Sequence, residues 1–259
     1  MENLNPDWWK TLFDETYMIT DARSVCDDEL SRREVDFLEG VLNIEKSDPV
    51  LDLCGGHGRH SLELSRRGFK NVTVLDYSEV LINVGRERAR QEGLATLFIQ
   101  GDARDTGLPD ERFQKIIIMA SSFGYFVDQS ENEKILREGF RLLMPGGSIL
   151  LDLPDKEYVL KNSAPQAWHE ANEETVICRQ RTLDGNVIYS REMVISKENG
   201  LIRDETYCTR LYGREEIITL LMSAGFPSVN IQKNFVSHDK EGDYGCLTNR
   251  MIVIAEKGY

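Results

Sequence analysis

Positive charge is in short supply: 31 Lys and Arg stand against 44 Asp and Glu, a net charge of −13 over 259 residues. Such a balance repels a phosphate backbone, so nucleic acid is not an expected partner and a small molecule is favoured. Cysteine is sparse as well. Cys26, Cys54, Cys178, Cys208 and Cys246 are odd in number and include no CxxC pair, which excludes a disulfide framework and a zinc signature and reads as reduced, cytoplasmic thiols. The four histidines, His57, His60, His169 and His238, are scattered without metal-ligand spacing, so no metal is expected. No apolar run is long enough to span a membrane, and the first ten residues carry Asn, Asp and two tryptophans where a signal peptide would have a basic segment and an apolar stretch. Internal repeats and low-complexity segments are missing too.

What remains is an ordinary folding composition, 41% hydrophobic and 29% charged, long enough to bury a full core in one domain with an insertion. After an aromatic and helical segment at 1–49, with Asp27 to Leu42 at helical spacing, five short apolar runs alternate with amphipathic stretches. They are Val50 to Leu53, Val72 to Asp76, Leu97 to Gln100, Ile116 to Ala120 and Ser148 to Leu153. This order predicts βαβ units and a mostly parallel sheet covered on both faces. Ser78 is placed to cap one connecting helix, and Ser130 with Glu133 forms an S-x-x-E capping box for another that stops before Pro145. The pattern then changes. Glu174 to Thr182, Val187 to Ser196 and Leu201 to Leu211 read as three antiparallel strands within an insertion at 154–211, and helix and strand patterns return at 212–259 to complete the main sheet.

The chemistry concentrates where the first strand enters a glycine-rich turn, Asp52-Leu53-Cys54-Gly55-Gly56-His57-Gly58. Glycine there allows close approach to the backbone. Asp76 closes the next strand, where a carboxylate accepts from both hydroxyls of a ribose. A glycine turn alone fits nicotinamide and flavin enzymes too. Against them, Ser61 stands where the dinucleotide fingerprint wants Gly or Ala, and Asp52 suits a cationic ligand better than a pyrophosphate. Each acid also has a bland role, since Asp52 would serve to cap the turn, Asp76 to cap the helix at Ser78, and Asp102 to shape a loop. Their occurrence at the ends of three successive strands favours a ligand.

Over residues 50–153 the chain resembles the class I S-adenosylmethionine-dependent methyltransferases, on the glycine turn, Asp76, Gly101-Asp102-Ala103, the run Met119 to Phe126, and Leu142-Leu143-Met144-Pro145-Gly146-Gly147. The resemblance implies a Rossmann-like, doubly wound, mostly parallel seven-stranded sheet whose 50–153 core binds the cofactor, with the small antiparallel β insertion over the cleft. It further implies S-adenosyl-L-methionine as cofactor, held by Asp52, Gly55, Gly56, Gly58, Asp76, Tyr77, Asp102, Ala103 and Ala120. Cys54 departs from the glycine usual at its place. The expected reaction is in-line methyl transfer to a small molecule, with alignment as the protein's main contribution. Tyr125 is the candidate for orienting the acceptor, and Tyr17, Tyr207 and Arg210 are candidate acceptor contacts. A dimer interface is the other reading of the insertion. Two further readings stay open: a nicotinamide-dependent oxidoreductase, and a catalytically silent protein that only binds the cofactor.

Overall fold

Alternating apolar residues along the parallel strands point to opposite faces, and each face is covered by its own helices. The computed structural model describes residues 4–235 and 249–259. His238 and Cys246 lie outside the described residues. A short turn of helix at Trp8–Lys10 precedes α1 (Glu15–Thr20), α2 (Ala22–Val25) and α3 (Asp28–Leu42). The main body follows as β1 (Pro49–Leu53), α4 (Arg59–Arg66), β2 (Asn71–Asp76), α5 (Glu79–Glu92), β3 (Leu97–Gln100), β4 (Phe113–Ile118), α6 (Gln129–Leu142) and β5 (Leu143–Pro154). Then come α7 (Lys156–Asn162), β6 (Gln166–Glu170), β7 (Thr175–Asp184), β8 (Val187–Ser196), β9 (Gly200–Arg210), α8 (Arg214–Ser223), β10 (Ser228–Phe235) and β11 (Arg250–Glu256).

The large sheet has seven strands in the order β10-β11-β5-β4-β1-β2-β3, with β11 alone antiparallel to both neighbours. Leu51, Leu53, Ile116, Ile118, Ile149 and Leu151 face one core, while Val50, Ile117, Leu150 and Ile252 face the other with Val35 and Leu38 of α3. The chain builds outward through β1, β2 and β3, then crosses back to β4 on the other side of β1. That reversal opens a crevice at the carboxyl ends of β1 and β4, the place where such sheets take ligands.

Three local readings change. The insertion holds four antiparallel strands, in the order β6-β7-β8-β9, because the short β6 pairs with β7. Its exposed edge gives no apolar run, and Trp168 stands 71% exposed there. The capping box at Ser130 is displaced: the cap lies two residues earlier at Asp128, which accepts from Ser130 N, and Glu133 instead pairs with Arg137. Finally β4 stops at Ile118, because Ala120 and Ser121 turn into the left-handed region at φ 54° and 61°. Ser78 caps α5 through Leu81 N at 3.1 Å.

Candidate active site

The glycine turn is built by the acid beneath it. Asp52 is fully buried at the end of β1, with one carboxylate oxygen accepting from Ser61 Oγ at 2.9 Å and the other, Oδ1, without a partner among the described residues. A Cβ on Gly55 would stand 2.6 Å from its Cγ, so glycine is required by the carboxylate as well as by any ligand above. Burial pushes Asp52 up to about 7, against the Ser61 bond and the Arg59 charge. Cys54 adopts φ 61°, the conformation a glycine would take freely, and Gly56 follows at φ 57°. Gly58, at φ 73°, is different. It caps α4 and is absent from the lining of the cleft, and a Cβ there would meet Phe98 at 2.8 Å and Val74 at 2.9 Å. Its smallness serves the packing of α4 on the sheet.

Asp76 ends β2 opposite this turn. Its Oδ2 accepts from Gly56 N at 2.7 Å and its Oδ1 from Ser78 N at 2.8 Å, so it holds the turn and the start of α5 together. Burial raises its pKa against those bonds. Beyond β3, Asp102 is paired with Arg104 at 2.6 Å. Burial pushes Asp102 up, and the Arg104 bonds overcome it to hold the carboxyl below its usual range. Trp9 and Phe126 meet edge to face at 5.4 Å, the Arg104 guanidinium lies over both, 4.8 Å and 4.7 Å from their rings, and Tyr77 stands edge-on to Trp9 at 4.6 Å.

One cleft brings together Asp52, Gly55, Gly56, Asp76, Tyr77, Asp102, Ala103, Ala120, Tyr125 and Tyr17. Arg59, Trp9 and Phe126, which are not among the candidate site residues, line it as well. His57 lies in the glycine turn but is not solvent-exposed: burial and the Arg59 charge lower it to about 4, and its Nε2 meets Val25 O at 2.9 Å. His60 is likewise lowered to about 4 by burial and Arg59, and bonds Glu34 at 2.9 Å.

A second compartment adjoins the first, between the amino-terminal segment and the antiparallel sheet. Tyr17, Tyr125, Ala120 and Phe13 line both. Tyr207 lines only the second, beside Ser121, Asp21 and Glu192. Arg210 lines neither; its guanidinium donates to Val127 O at 2.5 Å, which fixes the loop after β4. Burial pushes the hydroxyls of Tyr17 and Tyr125 well up and that of Tyr207 to about 12, so all three are neutral phenols.

The amino-terminal segment is fastened from both sides. Arg179 pairs with Glu192 at 2.7 Å and Asp21 at 2.9 Å; Arg203 pairs with Glu192 at 2.6 Å and Asp14 at 3.0 Å. From the main domain, Ser78 Oγ donates to Phe13 O at 2.5 Å. Behind the cleft, Arg250 is buried between Asp152, at 2.5 Å, and Glu34, which also pairs with Arg59.

A family model described as a methyltransferase domain matches residues 50–147. The chain is 25% identical over 191 residues to a putative methyltransferase, YqeM, of Bacillus subtilis, covering 72% of this chain and 76% of that one. It is 38% identical over 112 residues to a ubiquinone/menaquinone biosynthesis C-methyltransferase of Photorhabdus laumondii, of which it spans 43%, with 42% of this chain matched. Among solved structures, the CcbJ methyltransferase of Streptomyces caelestis superimposes with a TM-score of 0.75 at 16% identity, covering 96% of this chain and 99% of that one. The fold is therefore that of the Rossmann-like methyltransferases. Residues 50–147 match the methyltransferase domain, and the chain as a whole is similar in fold to S-adenosylmethionine-dependent methyltransferases.

Proposed function

We propose that this enzyme moves a methyl group from S-adenosylmethionine, held in the larger cleft, to a small molecule held in the adjoining compartment. The observation that carries the reading is the meeting of the two compartments at Ala120 and Tyr125. The cleft fits the cofactor on its own chemistry. Asp52 Oδ1 is a buried oxygen without a partner among the described residues, suited to an ammonium, and Gly56 leaves the backbone open beside it. Asp76 keeps lone pairs free for ribose hydroxyls after its two backbone bonds. Trp9, Tyr77, Phe126 and Asp102 line the cleft beside Gly101 and Ala103, an aromatic and polar wall suited to adenine.

When bound, the cofactor supplies an already activated methyl group. The chain's part is alignment and exclusion of water, which for well-oriented reactants contributes on the order of 7 to 11 kcal/mol. Phe13, Trp8 and Leu12 roof the junction, and the Arg179 and Arg203 ion pairs hold that roof in place. Tyr17, Tyr125 and Tyr207 offer neutral hydroxyls to the acceptor. The acidic surface disfavours nucleic acid and favours a small molecule. Among the described residues no helix is long and apolar enough to cross a membrane, and Cys26, Cys54, Cys178 and Cys208 are free thiols, which supports a cytoplasmic setting. Incubation with methyl-labelled cofactor and a metabolite extract tests the reading: a labelled small molecule is expected, and cofactor binding without any labelled product would make the chain a silent binder.

A further inference from the structure

We infer that the acceptor presents a neutral amine nitrogen, and that the Ser121 hydroxyl holds it at the junction of the two compartments. The inference rests on the proposed methyl transfer and adds the class of acceptor atom and the residue that orients it. Ala120 and Ser121 are consecutive non-glycine residues in the left-handed region. That conformation is unfavourable for residues with a Cβ, so something must hold it. Asp152 does: its Oδ2 accepts from Ala120 N at 2.8 Å and its main-chain oxygen from Ser121 N at 3.1 Å, while Arg250 anchors the carboxylate from behind at 2.5 Å.

The outcome of that fixed turn is a side chain sent into the second compartment. Ser121 is only 7% exposed, lines that compartment, and its Oγ has no hydrogen-bond partner among the described residues. Buried hydroxyls are nearly always paired, so an orphan beside the transfer point is matched to a group that arrives with the acceptor.

The remaining walls decide which atom that is. A hydroxyl or carbon acid must lose its proton as its bond to the methyl group forms, which calls for a base within hydrogen-bond reach. Among the described residues, neither histidine nor lysine lines the second compartment. Its carboxylates are engaged as ion pairs, Glu192 with Arg179 and Arg203 and Asp21 with Arg179. Its phenols are held neutral by burial. A neutral amine needs no base there. Its lone pair forms the N–C bond, the S–C bond breaks with its electron pair left on sulfur, and the product ammonium keeps its proton until it reaches solvent. Ser121 Oγ accepts one N–H and so turns the lone pair toward the methyl carbon.

The test is carbon-13 methyl transfer from labelled S-adenosylmethionine into a metabolite extract, comparing wild type with Ser121→Gly and Ser121→Asn. Both replacements suit a left-handed position, so the fold is kept and melting temperature serves as the check. The carbon-13 shift of the transferred methyl separates N-, O- and C-methyl products. An N-methyl product is expected, with the rate at least tenfold lower in Ser121→Gly, partly restored in Ser121→Asn, and S-adenosylhomocysteine affinity unchanged. An O- or C-methyl product, or full activity in Ser121→Gly, overturns the inference while leaving methyl transfer intact. No labelled product from wild type overturns the proposed function, and the inference falls with it.

Discussion

Replacing Asp76 by alanine separates ribose recognition from mere support of the glycine turn. The carboxylate has about four acceptor positions, and Gly56 N and Ser78 N occupy one on each oxygen. Two remain for the ribose hydroxyls. Hydrogen bonds to a charged group contribute about 1.5–3 kcal/mol each when buried, but water fills part of the space an alanine leaves, so the net loss of cofactor affinity is about 1–3 kcal/mol. That corresponds to roughly 5- to 150-fold in Kd. Titration calorimetry on protein shown to be folded by circular dichroism measures it. A second ligand, 2′-deoxy-S-adenosylhomocysteine, removes the ambiguity of a disturbed turn. Wild type should bind the deoxy ligand more weakly than S-adenosylhomocysteine, and Asp76→Ala should hardly distinguish the two. Unchanged affinity in the mutant, or discrimination equal to wild type, refutes the ribose assignment.

Asp52 titrates near neutrality in the free protein, and protonation competes with a cofactor ammonium at the same carboxylate. Cofactor affinity should therefore be steady above about pH 8 and weaken as pH falls through 7, approaching tenfold per pH unit well below it, with the dependence abolished in Asp52→Asn; a flat profile in wild type contradicts the placement of the ammonium. Arg250→Met strands the buried Glu34 and Asp152 carboxylates, and loss of one partner from a buried ion pair destabilises by about 3–5 kcal/mol. At roughly 2–4 °C per kcal/mol for a chain of this size, thermal unfolding should shift down by about 10 °C, and a shift within about 2 °C would mean the network is dispensable. Among the described residues no group of three His, Cys, Asp or Glu is placed to hold a metal ion, so EDTA should leave turnover unchanged. Loss of turnover restored by magnesium would contradict this.

The parallel sheet was legible because each of its strands is a short apolar run ended by a turn or an acid, a signal carried by adjacent residues. The edge strand β6 was not: at Gln166–Glu170 the half-buried face carries Ala167 and His169 while Trp168 is on the exposed one, so no hydrophobic alternation marks it. Among site residues, Asp52 and Asp76 stand out because strand ends in this architecture converge on one crevice. Gly58 looked equivalent to Gly56 in the sequence, yet it faces Phe98 and Val74, a distinction set by how α4 packs on the sheet. Arg210 and Tyr207 lie three residues apart on β9, so strand alternation sends them to opposite faces and only Tyr207 lines the compartment. The roof was hidden for another reason. The partners of Arg179 and Arg203, Asp21 and Asp14, lie more than 150 residues away in sequence. Nothing local in either segment announces such pairs, and the orphan Ser121 hydroxyl is visible only once the left-handed turn is built.

The central claim is that the cleft at the ends of β1 and β2 is a site for S-adenosylmethionine. Calorimetric titration of the purified chain with S-adenosylhomocysteine tests it most directly, with NADH as the competing ligand. One S-adenosylhomocysteine bound per chain, lost in Asp52→Asn together with Asp76→Ala, is the predicted result. Saturable binding of NADH with no heat from S-adenosylhomocysteine would contradict it.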